Sequence, residues 1–193
     1  CAYNQLVPLL ELGTPKHTAV CLWADKEEIG SVGVTGMQSF AFETFIQDLC
    51  LGTGASLYRC FENSFCLSAD VSNAYDPNFG ETCDKRNNSA LNMGVAIFKY
   101  TGSRGKGGAS DASAEAMGHI RTVLNNAGVV WQVGELGKVD QGGGGTVAAY
   151  MANRNIVTVD AGVPVLSMHA PLELVSKLDC YETMLACKAI YLA

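Results

Sequence analysis

The sequence predicts a layered α/β domain, and three observations carry that prediction. Short apolar, β-rich runs recur along the chain, stretches with helical spacing separate them, and the connecting segments are polar or glycine-rich. A length of 193 residues suits one domain with its own hydrophobic core. Hydrophobic residues make up 48% of the chain and charged residues 17%, the profile of a folded protein and not of a disordered one.

Taken in order, residues 3–12 read as a helix, with Pro8 disfavoured beyond its first turn. Residues 18–24 are a β-rich apolar run and predict a buried strand. Residues 37–51 place Phe40, Phe45, Ile46 and Leu49 at helical spacing. Residues 65–71 and 95–100 are two more short apolar strands. Residues 111–126 read as a helix with Ser110 or Asp111 at its N-cap. Strands follow at 129–133, 155–160 and 164–168, and residues 172–192 form a long closing helix. Three loops break this rhythm: 72–89, rich in Asn and Asp; 102–110, with Gly102, Gly105, Gly107 and Gly108; and 140–145, with four consecutive glycines. Loops of this kind within a compact domain often build active sites. No internal repeat or linker divides residues 1–193.

Charge and composition narrow the function. A net charge of -6, from 13 Lys+Arg and 19 Asp+Glu, argues against a nucleic-acid surface, which needs clustered basic residues. There is no run of about 18 apolar residues, so no membrane helix is expected, and no signal peptide is evident. The 8 cysteines include no C-x-x-C pair, against a thiolate zinc knot, and several lie in apolar runs such as Val20-Cys21-Leu22-Trp23. Free thiols in a reducing cytoplasm are the expectation. Asn87-Asn88-Ser89 matches the glycosylation triplet and is read as coincidence. The chain lacks an initiating Met and starts within a helical stretch, so it reads as a segment of a longer protein.

Three motifs at strand ends carry potential chemistry. Asp25-Lys26-Glu27-Glu28-Ile29-Gly30-Ser31 follows the first apolar run. Adjacent carboxylates repel, and a cation relieves that conflict. On extended backbone the two side chains point in opposite directions, so one glutamate can ligate a metal while the other acts as a base. Taken alone, such a pair more often marks a solvated charged turn. Ser68-Ala69-Asp70-Val71 puts a carboxylate at the end of a second strand, where a turn or cap serves equally well. Ser167-Met168-His169-Ala170-Pro171 puts one of three histidines at a strand-to-helix junction. A lone His is usually structural, yet Glu, Asp and His at strand ends are donors that zinc accepts. Neither glycine run fits a phosphate-loop or dinucleotide pattern, and close backbone approach to a substrate is the better reading.

These motifs together resemble the aspartyl aminopeptidase family of metallopeptidases. Asp25 to Ser31 resembles its metal and base motif. Ser68-Ala69-Asp70, with Ser72-Asn73-Ala74 and Pro77-Asn78, looks like its second ligand segment. The stretch 134–146, Gly-Glu-Leu-Gly-Lys-Val-Asp-Gln-Gly-Gly-Gly-Gly-Thr, looks like a signature of its bacterial members, and Ser167 to Pro171 resembles its C-terminal ligand motif. The order and spacing agree along the whole chain. The resemblance implies a three-layer α/β/α zinc-peptidase-like domain with a mixed, largely parallel sheet. It implies Glu27 as the general base for a water between two zinc ions, Glu28 and His169 as ligands of one zinc, and Asp70 as a ligand of the other. Lys99 would meet an acidic substrate side chain, with Arg104 and Lys106 as rivals, and Gly144 and Gly145 would line the cleft. The implied activity is removal of N-terminal residues from peptides by a cytoplasmic, hollow homo-dodecamer. The family also uses an upstream His-x-Asp motif, a bridging aspartate and an inserted assembly domain. By the match at Cys1-Ala2-Tyr3 these lie before residue 1, so the chain is expected to be the C-terminal portion of a catalytic domain, inactive alone. A broad-specificity two-metal exopeptidase and a noncatalytic scaffold subunit are the rival expectations.

Overall fold

The structure is a computed structural model that describes residues 1–104, 107–138 and 140–193. Its helices are α1 (Ala2–Leu10), α2 (Ala41–Thr53), α3 (Leu57–Glu62), α4 (Ala114–Asn126), α5 (Ala148–Ala152) and α6 (Lys177–Leu192). Its strands are β1 (Phe65–Ala69), β2 (Ser72–Asn73), β3 (Val95–Phe98), β4 (Tyr100–Ser103), β5 (Gly107–Asp111), β6 (Trp131–Val133), β7 (Val157–Gly162), β8 (Pro164–Leu166) and β9 (Leu174–Val175). The central sheet has the order β1-β7-β3-β6. The β1–β7 and β3–β6 pairs are parallel and the β7–β3 pair is antiparallel, the mixed, largely parallel sheet that was expected.

Side-chain alternation along these strands builds three layers. Val159 and Ala161 of β7 join Phe65 and Leu67 of β1 and Val95 and Ile97 of β3 against Ile120 and Leu124 of α4 and Ala186 of α6. Cys66 of β1 points the other way, toward a second core of Phe42, Ile46 and Cys50 of α2, Phe61 of α3 and Met151 of α5. Phe42 and Phe61 stack there with centroids 5.6 Å apart. Ser68 and Asp160, opposite one another in register, alternate onto the same side as Cys66. The sheet therefore has an apolar face under α4 and α6, and a face that turns polar toward its carboxyl end.

Several expectations need correction. Residues 18–24 form no strand among the described residues. The run joins no sheet, and Val20, Leu22 and Trp23 stay exposed at 38%, 38% and 56%. Helix α4 begins later than expected. Asp111 is consumed by the β4–β5 hairpin, the Ala112 N–H donates to the Lys99 carbonyl, and Ser113 is the cap, its Oγ accepting from the Ala116 N–H at 3.1 Å. Likewise α6 starts at Lys177, because Leu174 and Val175 first pair with β8 and Ser176 then caps the helix. Gly102, Gly107 and Gly108 sit in the strands of a hairpin and not in an open loop, Gly105 lies outside the described residues, and α3 and α5 are short helices with too few turns to show a period in sequence. All eight cysteines are free, as expected.

Candidate metal centre and active site

The segment with Glu27 and Glu28 is tightly braced. Glu27–Ile29 is a single 3₁₀ turn flanked by Lys26 at φ 66° and Gly30 at φ 85°. This corrects the extended backbone expected from sequence. In a 3₁₀ turn successive side chains diverge by about 120°, and that rotation separates the two carboxylates. Around the turn, the Ser31 N–H donates to the Lys26 carbonyl at 2.7 Å. Gln38 Nε2 and the Tyr150 hydroxyl donate to the Gly30 carbonyl at 2.7 and 3.2 Å. The Thr35 hydroxyl donates to Asp25 at 2.9 Å and, with Lys26, holds that carboxyl below the usual range.

Asp70 stands where β1 ends. Its N–H donates to the Ala161 carbonyl at 3.2 Å, and its Oδ1 accepts from the Val71 N–H at 2.7 Å. This crossing requires glycine at 162, because a Cβ there would lie 1.2 Å from the Asp70 carbonyl oxygen. His169 follows β8 in a turn with two left-handed residues, Ser167 at φ 58° and His169 at φ 65°. Non-glycine residues rarely hold that conformation, and such outliers gather at functional sites.

These separate segments converge. His169 Nε2 lies 3.2 Å from Glu28 Oε1. Burial raises the Glu27 pKa, the charges of Asp70 and Glu28 raise it further, and His169 pulls it back. Asp70 is raised chiefly by burial; the Val71 N–H opposes this, Glu28 adds to it and His169 again opposes. Four residues from three distant segments thus feel one another's charge. Among the described residues no three His, Cys, Asp or Glu side chains close into a metal cage on their own. Glu28 and His169 form a pair, with Asp70 close enough to sense both. Carboxylate oxygens and an imidazole nitrogen are donors that zinc accepts, so this set fits part of a zinc site.

The remaining expected residues lie around this cluster. Lys99 forms an ion pair with Asp111 across the base of the hairpin. Arg104 is exposed and its N–H donates to the Gly142 carbonyl at 2.7 Å. Lys106 lies outside the described residues. Gly145 packs on the hairpin, where a Cβ would meet the Gly108 carbonyl at 2.9 Å, while Gly144 faces open space. A pocket of about 90 Å³ opens between Tyr100–Gly102 and the segment 135–143. Sequence reasoning missed Tyr150, Gln38 and the buried Asp160. For Asp160 a signal existed: it is the one acidic residue within the apolar strand β7.

Comparison with known proteins places this arrangement in a family. The aminopeptidase I zinc metalloproteases (M18) match residues 1–191. The chain belongs to the M18 aminopeptidase family. That is the family whose aspartyl aminopeptidases the motifs resemble. Among its relatives, the probable M18 family aminopeptidase 1 of Clostridium acetobutylicum is 46% identical over 187 residues, covering 95% of this chain and 40% of the relative. That of Borreliella burgdorferi (strain B31) is 44% identical over 198 residues, covering 99% and 43%. The M18 fold agrees equally well with solved structures. The Thermotoga maritima M18 aminopeptidase superposes with TM-score 0.95 at 41% identity, over 99% of this chain and 43% of that one. Aminopeptidase I from C. acetobutylicum superposes with TM-score 0.92 at 45% identity, over 99% and 42%. The chain therefore spans about two fifths of the length of the M18 proteins it matches.

Proposed function

We propose that this chain forms the C-terminal part of the catalytic domain of a zinc aminopeptidase that removes N-terminal residues from peptides in the cytoplasm. The observation that carries the proposal is the convergence of Glu27, Glu28, Asp70 and His169 from three segments of an M18 chain. Glu28 and His169 would hold one zinc ion and Asp70 a second, with the other ligands supplied from outside this chain segment. Bound zinc supplies Lewis acidity, which acidifies a water and polarises the scissile carbonyl.

Glu27 does the proton work. Its partly buried carboxylate, with a pKa raised by burial and by two neighbouring acids, is suited to take a proton and return it. It accepts the proton of the attacking water and delivers it to the leaving amine nitrogen. Glu27→Gln in the zinc-loaded full-length protein keeps the zinc content and lowers kcat by about 100-fold or more, the usual contribution of a general base. Near-parental turnover in that variant overturns the assignment.

Lys99 is the residue we assign to an acidic substrate side chain, with Gly144 and Gly145 beside the substrate backbone. One observation favours the broader reading. Lys99 is already paired with Asp111, so an acidic substrate has to compete for it. Comparing chromogenic Asp, Glu and Leu substrates in the parent and in Lys99→Met separates the readings. A fall in kcat/KM confined to the acidic substrates supports the Lys99 role, and an equal fall for all three rejects it. A homo-dodecamer is the assembly we propose, by analogy with the mApe1 dodecamer of S. cerevisiae, which shares this fold at 22% identity. Native mass measurement of the full-length protein tests it.

A further inference from the structure

Asp160 sits in the middle of the sheet, opposite Ser68 of β1 and Phe98 of β3, and is 5% exposed. None of the ion pairs among the described residues includes it. A buried carboxylate without a cation is costly, and a neutral isostere at this position would favour folding. Its oxygens instead accept from hydroxyls, Oδ1 from Thr146 at 2.7 Å and Oδ2 from Thr101 at 3.3 Å. Thr146 ends the glycine run and Thr101 begins the hairpin, so one carboxylate ties both loops to the sheet.

Between Asp160 and Asp70 lies a cavity of about 10 Å³, lined also by Ser68, Thr101, Leu136 and Thr146. That is room for one water, which needs two to four polar partners. The Ser68 hydroxyl approaches Asp160 closely enough to stabilise its charge, yet its geometry falls short of a hydrogen bond and leaves Oγ unpartnered. Ser68 is 4% exposed and lines the cavity. A water placed there would have the Ser68 hydroxyl as donor and the two carboxylates as acceptors, and would screen Asp160 from the charge of Asp70.

We propose that Asp160 is a positioning residue for Asp70. Through a single buried water shared with Ser68, it fixes the Asp70 carboxylate and sets a second negative charge behind it, which tightens zinc binding. The proposal rests on the reading of Asp70 as a zinc ligand. Partners of this kind behind a ligand typically contribute 10- to 100-fold in metal affinity.

The test uses the full-length protein, with zinc affinity measured by competition against a chelating dye. Asp160→Asn preserves shape and removes charge. We expect zinc affinity to fall by about 10- to 100-fold, activity to return in excess zinc, and the melting temperature of the zinc-free protein not to fall. Ser68→Ala, which removes a partner of the water, shifts affinity in the same direction. Unchanged zinc affinity in Asp160→Asn overturns the proposal, as does a loss that only follows a lowered zinc-free melting temperature. Asp70→Ala run in parallel separates the two readings. If it leaves zinc affinity intact, the ligand reading fails and this proposal with it; if it abolishes binding while Asp160→Asn changes nothing, only this proposal fails.

Discussion

Gly162 has no room for a side chain. The methyl group of alanine would fall within bonding distance of the Asp70 carbonyl oxygen, which is backbone and cannot rotate away. Gly162→Ala therefore has to separate β7 from the exit of β1. We expect a loss of about 3 kcal/mol, at the upper end of the usual cost of overpacking, together with loss of zinc. An unaltered urea midpoint would contradict this close crossing. Two thiols allow a second test at the same scale. Burial pushes both Cys66 and Cys187 up to about 12, with Asp160 adding to the first and Cys21 to the second. The folded protein binds these protons more tightly than the unfolded chain, whose thiols titrate near 9.0. The stability they contribute is complete below pH 9 and fades as pH rises toward 12. At pH 8 both thiols stay protonated, so iodoacetamide should label the buried Cys187 only after unfolding and the half-buried Cys66 far more slowly than an unfolded thiol. Rapid labelling of Cys187 in the native state would refute the burial of its thiol.

Elements show where sequence reading succeeds and where it stops. The central strands and the helices α4 and α6 are legible because each buries a face against a partner within this chain, and burial imprints a pattern. The places of Asp70 and His169 just beyond strands are legible for a related reason: a polar residue ending an apolar run stands out. The Glu27 turn was read as extended because Lys26 gives no sign of its left-handed backbone, which is imposed by the bonds that Gln38 and Tyr150 send to Gly30. Those long-range contacts leave no local mark. Arg154 is another example. Its guanidinium pairs with Glu43 of α2 at 2.5 Å and donates to the Tyr150 and Met37 carbonyls at 2.7 and 2.9 Å, with 15% of its side chain exposed. It joins α5 to α2 and to the segment that braces the Glu27 turn. Arg154→Ala leaves a partly buried glutamate without its cation and should cost about 2–3 kcal/mol, below the ~3–5 kcal/mol of a fully buried pair. A cost below about 1 kcal/mol, the level of a surface pair, would refute this bracing role.

At the scale of the whole molecule, the proposed ligand assignment gives this chain only part of a donor set. Glu28 and His169 pair, Asp70 stands near them, and no third partner among the described residues closes a cage. We expect the isolated chain to bind zinc weakly and to lack peptidase activity, whereas the full-length protein retains two zinc ions through gel filtration. Elemental analysis of both preparations is the measurement; stoichiometric zinc in the isolated chain would contradict the split ligand set.

Residues 18–24 are an apolar, β-prone run that joins no ladder among the described residues, and Val20, Leu22 and Trp23 stand in water. An unpaired run of this composition offers its backbone groups to a second copy of the chain. Produced by itself, this polypeptide should therefore cloud with time and concentration, and a lysine at Leu22 should delay the onset of light scattering.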